Sequence, residues 1–152
     1  LLWHTRMSMK ERVRVTYLLP VLFILDRILK AAALDGAGFP IWRTSLIFEL
    51  FRNTGIAFSL PLSGPIVWLC SLAILIAVCV MAGRDLRARQ YGRTGAYLLF
   101  ILGAGSNLFD RIAYGFTVDY LIFFSRSAVN VADGMIVAGA LWLMLKTRPK
   151  DS

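Results

Sequence analysis

Four aspartates, Asp26, Asp110, Asp119 and Asp133, stand within or at the ends of long apolar stretches. An ionisable group there is expensive to bury and marks either function or a paired structural contact. Two carboxylates held close together cannot both ionise cheaply, so one keeps its proton and the other loses it. Such a pair, with water activated between its members, can hydrolyse an amide without a metal or a nucleophilic side chain. The residues alone leave open which two of the four form the pair. Their neighbours suggest local roles. Asp26 and Lys30 are spaced i,i+4 with the acid first, the better order for an ion pair on one helix face. A structural pair and a direct substrate contact are equally compatible with that spacing. Asn107 faces Asp110 and Arg111 at i+3 and i+4, and Asp110 with Arg111 reads most simply as a buried structural network. Gly103 and Gly105 would permit close helix approach. Asn130 shares a face with Asp133, so its amide is expected to orient that carboxylate. Asp119 follows residues 115–118, where a helix is expected to give way to an outer loop.

Other chemistries lack their residues. The single histidine, His4, lies in the N-terminal tail, which argues against a zinc hydrolase or a Ser-His triad. Cys70 and Cys79 fall nine residues apart in one apolar stretch, on roughly opposite helix faces at about 100° per residue. They are read as small packing residues that cannot pair with each other.

The elements that must position these acids follow from composition. Hydrophobic residues make up 58% of the 152 and charged residues 17%, with a mean hydropathy of +0.66. One soluble core of this size could not hide that much apolar surface. Four stretches are long enough to cross a hydrocarbon layer, at about 13–34, 65–83, 94–113 and 127–145. Residues 35–64 mix Gly, Pro and aromatics with short β-prone runs, and read as a small extracytoplasmic subdomain. Orientation comes from charge. Arg6, Lys10, Arg12 and Arg14, then Arg84, Arg87, Arg89 and Arg93, then Lys146, Arg148 and Lys150 all fall on one side, against Glu11, Asp85 and Asp151. These segments carry the entire net charge of +8. The positive-inside rule therefore places both termini in the cytoplasm, and the basic excess is a topology signal rather than a nucleic-acid footprint. At 1.5 Å per residue, Asp26, Asp110 and Asp133 all fall in the outer half of the bilayer, so the carboxylates converge on one layer. Residues 17–25 followed by Ala31, Ala32 and Ala33 have the outline of a cleavable signal peptide, but Asp26, Arg27 and Lys30 interrupt it, and the segment reads as a retained span.

The ordered motifs resemble those of the bacterial lipoprotein signal peptidase (signal peptidase II) family. They begin with Asp26-x-x-x-Lys30. Next comes Arg52-Asn53-Thr54-Gly55-Ile56-Ala57-Phe58-Ser59, matching R-N-x-G-x-A-F-S. Residues 103–120, G-A-G-S-N-L-F-D-R-I-A-Y-G-F-T-V-D-Y, follow the family's G-N-x-x-D-R-x-x-x-G-x-V-x-D-F region, and Asn130-Val131-Ala132-Asp133 matches N-x-A-D. The resemblance implies that Asp119 and Asp133 are the catalytic pair, supported by Asp26, Lys30, Asn53, Gly55, Asn107, Asp110, Arg111 and Asn130, with no metal or other cofactor. It implies a monomeric enzyme of the bacterial inner membrane, with its active site toward the extracytoplasmic face. Its substrate would be a diacylglyceryl-modified prolipoprotein, cut immediately before the lipidated cysteine, and globomycin-type cyclic peptides would occupy the dyad. Residues 35–64 would form a β-cradle on the outer membrane face. The chain departs from the pattern at Arg27 (glutamine is usual), Ser106 (glycine), Tyr120 and Val129 (phenylalanine at both), and by a short Asp119–Asp133 interval.

The expected fold is therefore a membrane all-α protein of four transmembrane helices with a small β-cradle between the first two. A proton-coupled carrier using the same acids as a relay is the rival from another class, but no internal repeat is visible and four spans are few. A non-catalytic lipid-binding relative is the third reading.

Overall fold

The computed structural model describes residues 9–43, 45–55, 64–89, 91–124 and 127–146, without the side chains of 9–16, 64 and 92. The motif residues Ile56, Ala57, Phe58 and Ser59, the rest of segment 56–63, and the tail cations Arg6, Arg148 and Lys150 lie outside the described residues.

The elements run α1 (Met9–Leu34), β1 (Phe39–Trp42), β2 (Leu46–Asn53), α2 (Gly64–Arg87), a short 3-10 turn (Tyr91–Arg93), α3 (Thr94–Tyr114), β3 (Thr117–Phe123), β4 (Ser127–Val129) and α4 (Val131–Leu145). The strands form one antiparallel sheet in the order β1-β2-β3-β4. This corrects the expected cradle. The sheet is not confined to the segment between the first two helices, because half of its strands come from the connection between α3 and α4. It also corrects the start of the fourth apolar stretch, since residues 127–129 are strand and the helix begins at Val131. In β2, Phe51 pairs with Asp119, Arg52 with Val118 and Asn53 with Thr117. The short interval between Asp119 and Asp133 is occupied by the β3–β4 hairpin, in which Leu121 faces Val129.

The usual distribution of polarity is inverted. Asp26, Lys30 and Asp110 have no exposed surface, whereas Leu69, Ile112 and Leu145 are largely exposed. A protein that hides its charges and displays its aliphatic side chains is matched to an apolar surrounding. Pro65–Arg87 is the one helix among the described residues that is both long and apolar enough to cross a membrane, with a mean hydropathy of 2.7, and almost none of it is buried inside the protein. α4 is apolar but shorter, at 15 residues. Cys70 and Cys79 are free thiols exposed on α2, not interior packing residues as their apolar setting had suggested.

A small apolar core joins the end of α1 to the sheet through Ala33, Phe48, Val118 and Tyr120. The rings of Phe48 and Tyr120 lie 5.5 Å apart. α3 ends at Gly115, which adopts φ +83° and donates its N–H to the Arg111 carbonyl. Only glycine takes that left-handed turn without strain, and it redirects the chain at once into β3.

α3 and α4 approach closely because glycines lie between them. A Cβ on Gly103 would sit 2.5 Å from the Ala132 carbonyl oxygen, and one on Gly139 would sit 2.8 Å from the Ala96 carbonyl oxygen. Gly105, expected to share this role, faces nothing within 4 Å. Backbone cannot yield as a flexible side chain can, so Gly103→Ala and Gly139→Ala must separate the helices, at about 1–3 kcal/mol each. Gly105→Ala should be neutral or slightly stabilising, because alanine is the better helix former. Thermal unfolding of the three variants in detergent checks this contrast.

Candidate active site

The site is assembled around the buried Lys30 ammonium. It lies 3.0 Å from Asp26 Oδ2 and 2.7 Å from Asp110 Oδ2. It also donates to Asn107 Oδ1 at 2.8 Å and to Ser106 Oγ at 3.2 Å. An ammonium has three hydrogens, and protein oxygens take them all. Asp26 and Lys30 thus form the ion pair that their i,i+4 spacing allows. Arg27 adds a second cation, 2.6 Å from Asp110 Oδ1, with its guanidinium 4.7 Å from the centre of the Phe109 ring. Ser106 donates to Asp26 Oδ2 at 2.6 Å and accepts from Arg27 at 3.2 Å.

Asp110 is thus paired with α1, and not with its neighbour Arg111 as the sequence had suggested. It also accepts the Val118 N–H at 3.3 Å, which ties the start of β3 to α3. Arg111 turns toward α2 and donates to Ser71 Oγ at 3.3 Å. It remains within the electrostatic reach of Asp133, Asp119 and Asp110.

The N-terminus of α4 is held by three elements at once. A helix begins with backbone N–H groups that lack intrahelical partners. The Val131 N–H donates to the Tyr120 hydroxyl at 2.9 Å, and the Ala132 N–H donates to Asp26 Oδ1 at 3.1 Å. Asn130 is the N-cap: its side-chain oxygen accepts the Asp133 N–H at 2.8 Å, while Asp133 Oδ2 accepts the Asn130 N–H at 3.1 Å. This reciprocal capping box also draws on the helix dipole, which favours carboxylates at this end.

Asp119 and Asp133 are both bound to this one capping residue. Asn130 Nδ2 donates to Asp119 Oδ1 at 2.6 Å, and Asn53 Nδ2 donates to Asp119 Oδ2 at 2.9 Å. Asn107 Nδ2 donates to Asp133 Oδ1 at 2.8 Å. The Asn130 amide therefore orients Asp119, whereas the i+3 spacing had pointed it at Asp133; toward Asp133 it offers its oxygen and its backbone instead. Gly55 donates its N–H to Asn53 Oδ1 at 3.0 Å, fixing the amide that Asn53 presents. No cluster of His, Cys, Asp and Glu suited to a metal ion occurs among the described residues.

Arg27, Ser106 and Tyr120 belong to this network and were not among the site residues expected from sequence. The signal was present, since all three are departures from the family pattern. Tyr120 Oη donates to Asp26 Oδ1 at 3.1 Å. Burial raises its phenol pKa above the usual value, so the group remains a donor.

Asp119 is almost fully buried, and burial is the main cause of its carboxyl being pushed up to about 7. The Asp133 charge adds to the rise; the Asn53 and Asn130 hydrogen bonds and Lys30 oppose it. A carboxyl whose folded pKa lies above its unfolded value favours the folded state most fully below about pH 4, and that contribution is lost as pH rises through about 7. Between about pH 5 and about pH 8.5 the wild-type melting temperature should therefore fall more steeply than that of Asp119→Asn. Lys30→Met leaves two buried carboxylates without their shared cation and should cost about 3–5 kcal/mol, read as loss of folded protein in detergent.

A family model described as signal peptidase (SPase) II matches residues 18–148. The lipoprotein signal peptidase of Vibrio campbellii is 36% identical over 92% of this chain and 92% of its own length. That of Vibrio cholerae is 33% identical over 88% of this chain and 85% of its own. That of Allorhizobium ampelinum is 36% identical over a match spanning 64% of each chain. Among solved structures, a bacterial membrane enzyme determined by the in meso method at 2.3 Å aligns with a TM-score of 0.67 at 20% identity, over 95% of this chain and 91% of that one. A second, at 1.9 Å, gives 0.64 at 18% identity over 99% and 100%. These two share the fold of four helices and a small sheet; the sequence relatives and the family model carry the further conclusion that the chain belongs to the signal peptidase II family.

Proposed function

We propose that this protein is an intramembrane aspartyl endopeptidase that removes signal peptides from diacylglyceryl-modified prolipoproteins, with Asp119 and Asp133 as its catalytic pair. The observation that carries the reading is the shared attachment of both carboxylates to Asn130, which brings acids from β3 and α4 to one point. Charge balance supports it. Asp26, Asp110 and a singly ionised dyad bring three negative charges, against three positive charges on Arg27, Lys30 and Arg111. One proton on the dyad leaves the buried layer neutral, which is the state a low-dielectric surrounding favours.

In this mechanism the ionised member takes a proton from water as the water oxygen attacks the scissile carbonyl carbon. The protonated member gives its proton to the carbonyl oxygen, forming a tetrahedral diol. Collapse of the diol breaks the C–N bond, and the amine leaves with a proton returned through the dyad. The cut falls immediately before the lipidated cysteine, whose acyl chains stay in the outer leaflet. Arg111 and Asn53 keep the surroundings of the pair polar without supplying a nucleophile.

The same reading places four spans, formed by α1 to α4, in the bacterial inner membrane, with both termini cytoplasmic and the sheet at the extracytoplasmic face. What supports it is the outward display of aliphatic side chains and the basic residues at the opposite end of the helices. The enzyme acts as a monomer without a cofactor, and globomycin-type cyclic peptides compete for the dyad.

The test is a purified assay with diacylglyceryl prolipoprotein in detergent. Wild type should give a mobility shift that globomycin blocks. Asp119→Asn and Asp133→Asn should each lower turnover on the order of 10³-fold or more. Full turnover by either variant would remove that residue from the dyad.

A further inference from the structure

Asp119 and Tyr120 are adjacent on β3, and both reach the start of α4. Asp119 does so through the Asn130 amide, and Tyr120 through its hydroxyl, which accepts the Val131 N–H. The same hydroxyl donates to Asp26 Oδ1, the oxygen that also takes the Ala132 N–H. One fully buried oxygen atom therefore joins α1, β3 and α4. The joint lies one residue from Asp119 and two from Asp133. Strand and helix ends are stiff over so short a distance, so a shift of Val131 relative to Tyr120 becomes a shift of one carboxylate relative to the other. The Tyr120 ring is held separately, by its packing against Phe48 and Val118. Ring and hydroxyl thus have separable duties: the ring completes the core under the sheet, and the hydroxyl fixes the helix start.

We propose that the Tyr120 hydroxyl is a positioning group that sets the separation of the Asp119 and Asp133 carboxylates by bridging Asp26 to the Val131 N–H. The inference rests on the reading of those two aspartates as the catalytic dyad. It makes Asp26 part of the same device, with one oxygen on Lys30 and Ser106 and the other on Tyr120 and α4.

Two substitutions isolate the bridge. Tyr120→Phe keeps the ring and deletes the oxygen, leaving the Val131 N–H and one Asp26 lone pair without that partner. Val131→Pro deletes the N–H and exchanges the partly buried valine side chain, which packs against the core under the sheet, for an apolar ring. Proline suits the first helical position, and Asn130 before it is already extended, at φ −134° and ψ 173°. Both full-length variants are assayed in detergent with diacylglyceryl prolipoprotein, beside Asp119→Asn and Asp133→Asn.

Tyr120→Phe should lower kcat roughly 10- to 100-fold with KM within about twofold, because geometry and not substrate binding is lost. Its basic pH limb should move to lower pH. The groups facing Asp119 are Asp133 from α4, Lys30 from α1, Arg111 from α3, Asn53 from β2 and Asn130, and loosening the joint weakens chiefly the repulsion from Asp133. Val131→Pro should lower kcat in the same sense, and the double variant should be no worse than Tyr120→Phe alone, since the two share one interaction. Wild-type kcat and an unmoved basic limb in Tyr120→Phe, with both aspartate variants inactive, overturn this inference and leave the dyad standing. Turnover by Asp119→Asn or Asp133→Asn removes the dyad itself, and the inference falls with it. Should Tyr120→Phe not accumulate as folded protein, an unchanged kcat in Val131→Pro overturns the proposal.

Discussion

The Lys30 ammonium sits without exposed surface among the carboxylates of Asp26 and Asp110 and the oxygens of Asn107 and Ser106. An unpaired charge in such surroundings would cost many kcal/mol, and so would either carboxylate alone. None of the three can move without exposing the others to that penalty. Because the acids lie on α1 and α3, the requirement for neutralisation becomes a requirement on helix position. α1 and α3 are held in one register, and Arg27 reinforces it from one turn away.

That register is passed on through the same two carboxylates. Asp26 Oδ1 caps α4, and Asp110 Oδ2 takes the N–H at the start of β3 as well as Lys30. Asn107, held by Lys30 on one side, presents its amide to Asp133 on the other. The two acids read as catalytic are therefore positioned by backbone and amide donors, while Lys30 and Arg27 are taken up by Asp26 and Asp110. This division explains how a cluster with several cations leaves one carboxyl able to hold a proton. The nearest fixed partners of Asp119 are two neutral amides, which stabilise its charge less than a contacting cation would.

Much of this arrangement was legible in the residues, for identifiable reasons. The i,i+4 spacing of Asp26 and Lys30 is a local property of a helix, and the pair is present. The convergence of carboxylates on one layer followed from helical rise alone. Partners across helices were less accessible. Asp110 chose α1 over its neighbour Arg111, and the Asn130 amide chose Asp119 over Asp133, because each choice depends on tertiary approach that spacing does not encode. The β3–β4 hairpin was missed for a related reason. Residues 127–129, Ser-Ala-Val, are only three and lead almost directly into a helix, so a short strand there has no periodicity of its own to announce it. Tyr120 and Ser106 were visible only as departures from a pattern, and their hydroxyls acquire meaning only once Asp26 is seen between them.

On the proposed reading, Asp119 and Asp133 share one proton near neutrality. Infrared difference spectroscopy of the protonated-carboxyl band, recorded across pH on the purified enzyme, reads this directly. One protonated carboxyl should disappear with an apparent pKa of about 7, and it should be lost or strongly displaced in both Asp119→Asn and Asp133→Asn. A spectrum with no protonated carboxyl at about pH 6, or a band that persists unchanged in both variants, would contradict it.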